Sequence, residues 1–150
     1  MSAATLLQGI AGLPVSQVWR GYGPAIFVDF GALSRVPSRQ PLSASHHGEA
    51  TLMIEWSWRI ERPRSILCGS WSDERKWKKA LDQLVGHTVI SVQCFGRLPE
   101  ISVGLSNGLY VVSAMTAEGQ PSWALILRGS QGKSVHVSGG RLVVEHCGAA

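Results

Sequence analysis

Gly129-Ser130-Gln131-Gly132-Lys133-Ser134 ends like a phosphate-binding loop, in which backbone amides cradle phosphate and a lysine neutralises it. The motif needs a glycine five residues before Gly132, and that position is Leu127. It also needs a helix to follow, because a helix N-terminus supplies the converging amides. Ser134-Val135-His136-Val137 has the alternation of a strand instead, so the segment reads as a hairpin loop. Zinc would require closely spaced or converging His and Cys ligands. His46-His47 are adjacent in a polar stretch and His146-Cys147 lie at the chain end, so no metal and no cofactor is expected. Cys94 with His136 is a conceivable nucleophile and base, but nothing local recommends the pair. Cys68 and Cys94 read as small buried or half-buried apolar residues. Glu49, Glu55, Glu100 and Glu145 are scattered rather than paired for acid–base work. No catalytic residue is assigned, and an enzyme with dispersed site residues stays open as an alternative.

Charge marks a more promising surface. The net charge is +4, which bears on association rather than on fold. Half of the 14 lysines and arginines fall within residues 59–79: Arg59, Arg62, Arg64, Arg75, Lys76, Lys78 and Lys79. Glu61, Asp73 and Glu74 oppose them. The plain interpretation is a solvated helix face with Glu74–Lys78 and Lys78–Asp82 pairs. The functional one places Arg59, Arg62 and Arg64 near the helix start, forming with Arg75, Lys76 and Lys79 a patch for an acidic partner protein or nucleic acid. Trp71, between Gly69-Ser70 and Ser72, is expected to be partly exposed and joins this binding set. Trp56 and Trp58 could stack bases. Both share a period-two face with Leu52, Ile54 and Ile60, however, which marks them as core.

The elements that must carry these residues belong to a chain of ordinary globular makeup. At 150 residues, 45% apolar and 16% charged, it has the size of a single domain, 1–150. Six tryptophans and 17 glycines favour strands and tight turns. No apolar run approaches the roughly 20 residues that span a bilayer. Met1 to Gly12 lacks a basic leader and contains Gln8, so no signal peptide is expected. Three widely spaced cysteines fit a reducing cytoplasm better than a disulfide framework.

Ser2 to Ala11 reads as a short helix capped by Ser2, followed by strands at Val15 to Arg20 and Ala25 to Phe30. Ser34 to Gly48 lacks periodicity and reads as a long mobile loop. Leu52 to Ile60 alternates as one continuous strand, and Ile66 to Cys68 as a shorter one. Ser72 then caps the one clear helix, Asp73 to Val85, whose stripe is Trp77, Ala80, Leu81 and Leu84, with Gly86 as the C′ residue. The second half reads as a meander of short strands from Val89 to Glu145, with Asn107-Gly108 and Gly139-Gly140 as hairpin turns. Such short connections require antiparallel pairing. The expected class is therefore α+β, antiparallel β-meander sheets with one clear and one short helix.

An internal duplication shows through this pattern, with pseudo-repeats 1–71 and 72–150. Gly12, Val15 and Val18 match Gly86, Val89 and Val92 at an offset of 74. Pro24, Ile26, Val28 and Phe30 match Pro99, Ile101, Val103 and Leu105 at 75. Apolar alternation matches itself in any β protein, so the shared glycine and proline carry the comparison.

Gly86-x-x-Val89-x-x-Val92, then Leu105-Ser106-Asn107-Gly108-Leu109, then Trp123, resemble small bacterial α+β domains of unassigned function, some of them immunity proteins encoded beside toxins. The resemblance implies no catalytic residue. With it, the expected function is a non-enzymatic, immunity-like binding protein that occludes another protein. Nucleic-acid binding through the basic patch is the alternative. The basic balance suits an acidic partner better than a cationic nuclease.

Overall fold

The computed structural model describes residues 1–35, 46–119, 122–129 and 132–146. The chain begins with α1 (Ala3–Leu7), a 3-10 turn (Gln8–Ile10), β1 (Val15–Arg20), β2 (Ile26–Phe30), β3 (Ser34–Arg35), β4 (His46–His47), β5 (Ala50–Ile54), β6 (Trp58–Glu61) and β7 (Ile66–Gly69). A 3-10 turn (Glu74–Lys76) then runs into α2 (Trp77–Asp82). β8 (Val89–Phe95), β9 (Glu100–Leu105), β10 (Tyr110–Ser113), β11 (Trp123–Leu127), β12 (Lys133–Ser138) and β13 (Arg141–His146) complete it. The protein is α+β and dominated by antiparallel sheet. One sheet has the order β1-β2-β5-β11-β12-β13, another β7-β6-β10-β9-β8, and β3 pairs with β4 alone. The inward faces of both large sheets and the apolar stripes of both helices meet in one hydrophobic core.

Leu52 to Ile60 is not one strand. β5 ends at Ile54 in the six-stranded sheet, and β6 starts at Trp58 in the five-stranded one. Leu52, Ile54, Trp58 and Ile60 are all buried, because both strands face the same core with the same parity. The alternation therefore runs through a crossing between sheets without a break. Trp56 falls in that crossing and is half-buried, not a core residue.

The helix over Asp73 to Val85 is also shorter than its spacing implies. It spans the Glu74–Lys76 turn and Trp77–Asp82, then tightens into i→i−3 bonds from Leu84 to Leu81 and from Val85 to Asp82. Its stripe is as expected: Trp77, Ala80, Leu81 and Leu84 are buried. Ser72 does not cap it. Asp73 does, accepting from the Arg75 amide at 3.0 Å. Ser72 instead closes a turn on Gly69, donating its amide to the Gly69 carbonyl at 2.9 Å and accepting from the Gly69 amide through Oγ at 3.0 Å. At the N-terminus Ser2 does cap α1, accepting from the Thr5 amide at 3.2 Å. Ser34–Arg35 pairs with His46–His47, so the ends of the expected mobile loop are a short ladder. Residues 36–45 lie outside the described residues.

The two halves share strand order and direction. β1, β2 and β5 are successive neighbours in one sheet, as β8, β9 and β10 are in the other. Gly12 and Gly86, with φ of 85° and 88°, precede β1 and β8, the left-handed region that glycine enters without strain. β1 is irregular between Val15 and Gln17, and β8 between Val89 and Ser91. Hydrogen bonds cross between the halves reciprocally: Gly12 donates to Val89 and Gly86 to Val15, at 2.9 and 2.8 Å. Trp58 Nε1 donates to the Pro24 carbonyl at 2.7 Å, and Trp123 Nε1 to that of Pro99 at 3.0 Å. Each half also sends its tail into the other's sheet: β6 and β7 extend from β10, while β11, β12 and β13 extend from β5.

The halves differ at one edge. β12 carries β13 as an outer neighbour, whereas β7 carries none. Ser72 occupies the corresponding place, taking both the N–H and the C=O of Gly69. The edge groups of Gly69 are thereby withdrawn from pairing with another chain. Ser72→Ala should cost about 0.5–1.5 kcal/mol, the net worth of a hydrogen bond, measured by urea unfolding. Unchanged stability would mean that the turn holds without its side-chain bond.

Candidate functional site

The β6–β7 hairpin, the Gly69 turn and the start of α2 build a continuous furrow. At its first end the Arg62 amide bonds the Ser65 carbonyl at 2.8 Å, closing a tight turn that exposes Arg62 and Arg64. Arg59 and Ile66 line the concavity here and the next one along, of about 340 Å³, whose wall continues through Ser57, Ser70 and Trp71. A third concavity, of about 390 Å³, shares Ser70, Trp71 and Ser72 and ends at Gly23, Pro24, Trp56 and Glu74. These volumes reach the lower range of ligand sites, but they are open troughs. They fit an extended or flat partner better than an enclosed small molecule.

Trp71 stands between the two troughs, 72% exposed. The Gly69–Ser72 turn holds it outward. Trp56 meets it edge-on, with ring centroids 6.4 Å apart at 67°, a favoured aromatic geometry. Trp77 closes the inner wall: its Nε1 donates to the Ser72 carbonyl at 3.1 Å, and the Arg20 guanidinium lies 4.3 Å from its ring centroid. Trp56 Nε1 and Ser57 Oγ are buried without hydrogen-bond partners among the described residues.

Of the seven residues singled out from the sequence, Arg59, Arg62, Arg64 and Trp71 gather around this furrow. Arg75, Lys76 and Lys79 do not line it. Arg75 is held by Asp73 at 2.7 Å, and the Asp73 carboxyl is pulled below its usual range, first by the Arg75 side chain and then by its amide. Arg59 is paired with Glu61 at 2.6 Å. Lys78 pairs with Asp82 at 2.8 Å as expected, but Glu74 reaches Arg20 at 3.4 Å instead of Lys78. Arg62 and Arg64 have no ion-pair partner among the described residues.

No family model, curated protein or solved structure matches the chain. The site must therefore be judged by its own geometry.

A second polar cluster, around Asp29 on β2, had no signal in the sequence. Asp29 is fully buried. Its Oδ2 accepts from Gln17 Nε2 at 2.8 Å and Trp19 Nε1 at 2.9 Å; its Oδ1 accepts from the Gly48 amide at 3.0 Å and from the Thr51 hydroxyl. Arg128 Nη1 and His47 Nδ1 lie farther out, at 3.9 and 3.8 Å. Burial pushes the carboxyl up, but the bonds from Thr51, Gln17, Gly48 and Trp19 outweigh it and hold Asp29 below the usual carboxylate range. A carboxylate offers about four acceptor sites, and these donors fill them. Asp29 therefore has no acceptor site left for a substrate, and its work is to tie β1, β2, the Gly48 turn and β5 together.

Other candidates disperse. Cys94 is exposed on β8, contrary to the buried or half-buried place expected, although partial desolvation pushes its thiol pKa up. His136 lies on β12 of the other sheet, beside Glu145 at 3.7 Å. Gly129 and Gly132 close the β11–β12 hairpin, and Lys133 opens a strand where a phosphate loop would need a helix. No helix among the described residues is long and apolar enough to cross a membrane.

Proposed function

We propose that the protein is a non-enzymatic binding protein that engages an acidic partner protein through the Trp71 furrow and its arginine rim. One observation carries this reading. An exposed tryptophan sits between two troughs of a furrow whose first end carries Arg62 and Arg64, which the protein's own acids leave unneutralised. Trp and Arg are the residues that most often anchor protein interfaces, the one by burying area, the other by bidentate bonding to carboxylates. An immunity role, with a toxin as the occluded partner, is the form that the sequence resemblance implies.

Nucleic acid is the competing ligand, since a tryptophan beside arginines can stack a base. Glu61 and Glu74 line the same furrow, and a phosphate backbone laid along it would meet both.

Arg62→Glu with Arg64→Glu tests the proposal on a partner first recovered by affinity purification and then purified. Association should slow by about tenfold or more, because rim charges mainly steer encounter. Stability should change by less than about 1 kcal/mol, as exposed charges contribute little. Unchanged rates would place the interface elsewhere. A uniform loss of affinity for DNA or RNA, with a shallower salt slope, would assign the face to nucleic acid.

A further inference from the structure

The two halves of the molecule act as controls for each other. Trp58 and Trp123 are equivalent, each 2% exposed and each donating its indole N–H to a proline carbonyl. What recurs in both halves is what the scaffold requires. β6 pairs Ile60 with Cys68, and β11 pairs Leu125 with Val135. That register makes Trp71 the counterpart of Ser138. By the same relation Arg59, Arg62 and Arg64 correspond to Ala124, Leu127 and Gly129. The aromatic and basic residues of the furrow therefore have no equivalents, and the scaffold folds at the second place without them.

We infer that the furrow receives an extended peptide segment of the partner, with an acidic side chain between Arg62 and Arg64 and an aromatic or proline side chain against Trp71. This rests on the binding reading above. The furrow is graded: Arg62 and Arg64 at the β6–β7 turn, where Glu61 is taken up by Arg59, apolar Ile66 and Trp71 in the middle, Glu74 at the far end. A uniformly charged polyanion does not complement that gradient, whereas a segment with one acidic end does. β7 (Ile66–Gly69) runs between the arginine turn and the Trp71 turn, so at about 3.3 Å per extended residue the two contacts stand at least about four residues apart.

Displayed random dodecapeptides selected on the intact protein test this, with Trp71→Ala and the Arg62→Glu, Arg64→Glu double variant as counter-targets and circular dichroism to verify their fold. Enriched peptides should share an acidic residue at least about four positions from an aromatic residue or proline. Their affinity should fall about tenfold or more on either counter-target, the scale of losing an interface anchor. Acidic peptides that bind wild type and Trp71→Ala alike overturn the inference while leaving the binding reading in place. Enriched peptides without acidic preference, unaffected by charge reversal, remove both. A selection that enriches nothing, or tighter binding of oligo-dT than of any selected peptide, overturns the peptide as occupant.

Discussion

Asp29→Ala should destabilise the protein by about 3–5 kcal/mol, the cost of breaking a buried charged network by removing one member. Gln17, Trp19, the Gly48 amide and Thr51 would all lose their acceptor at once. Arg128 Nη1 would keep its 2.6 Å bond to the Thr51 hydroxyl but lose the nearby negative charge. The effect should also depend on pH in a definite direction. The folded carboxyl lies below its usual range, so it binds protons less readily folded than unfolded. Its contribution is then fully present above the unfolded value of about 3.9 and is lost as pH falls through the folded value. Urea unfolding of wild type and Asp29→Ala at neutral pH and below pH 4 should show the gap between them narrowing in acid. A gap of constant size would mean that the side chain's packing, not its charge, matters.

Trp58→Ala should cost a similar amount, about 3–5 kcal/mol, as truncations of buried aromatic residues do. Trp58 is 2% exposed and its ring meets Trp77 edge-on at 5.0 Å. Removing it opens a cavity between β6 and α2 and leaves the Pro24 carbonyl without its donor. Trp123→Ala should fall in the same range, since the same bond is made to Pro99. Guanidinium unfolding of both variants measures this. If Trp58→Ala retained wild-type stability, the inward face of β6 would have been misassigned.

Local patterns predicted most of the architecture. The helix stripe of Trp77, Leu81 and Leu84, the Asn107-Gly108 hairpin and the antiparallel pairing each depend on residues close together in the chain. Three features did not. The crossing between β5 and β6 keeps the parity of its flanking strands, so periodicity cannot reveal it. Trp56 shares the parity of the core residues for that reason, although it sits in the crossing and faces Trp71. Ser72 has the spacing of a helix cap, but Gly69 competes for its side chain and prevails. The Asp29 cluster draws its donors from β1, β5 and the Gly48 turn, and a lone aspartate in an apolar strand does not announce them. The arginines and Trp71 were visible by composition. That Arg59, Arg62, Arg64 and Trp71 meet at a furrow while Arg75 folds back on Asp73 is decided by the hairpin and turn geometry.

The reciprocal placement of tails governs the order in which the chain can mature. As it leaves the ribosome from the N-terminus, β1, β2 and β5 can form a hairpin meander among themselves. β5 then waits with a bare edge for β11, and β6 waits for β10, both of which are made much later. Pairings so distant in sequence make for slow folding, and an unfilled apolar edge held open during synthesis invites association with neighbouring chains. The nascent first half is thus the vulnerable species, and its protection falls to whatever shields it until the second half arrives.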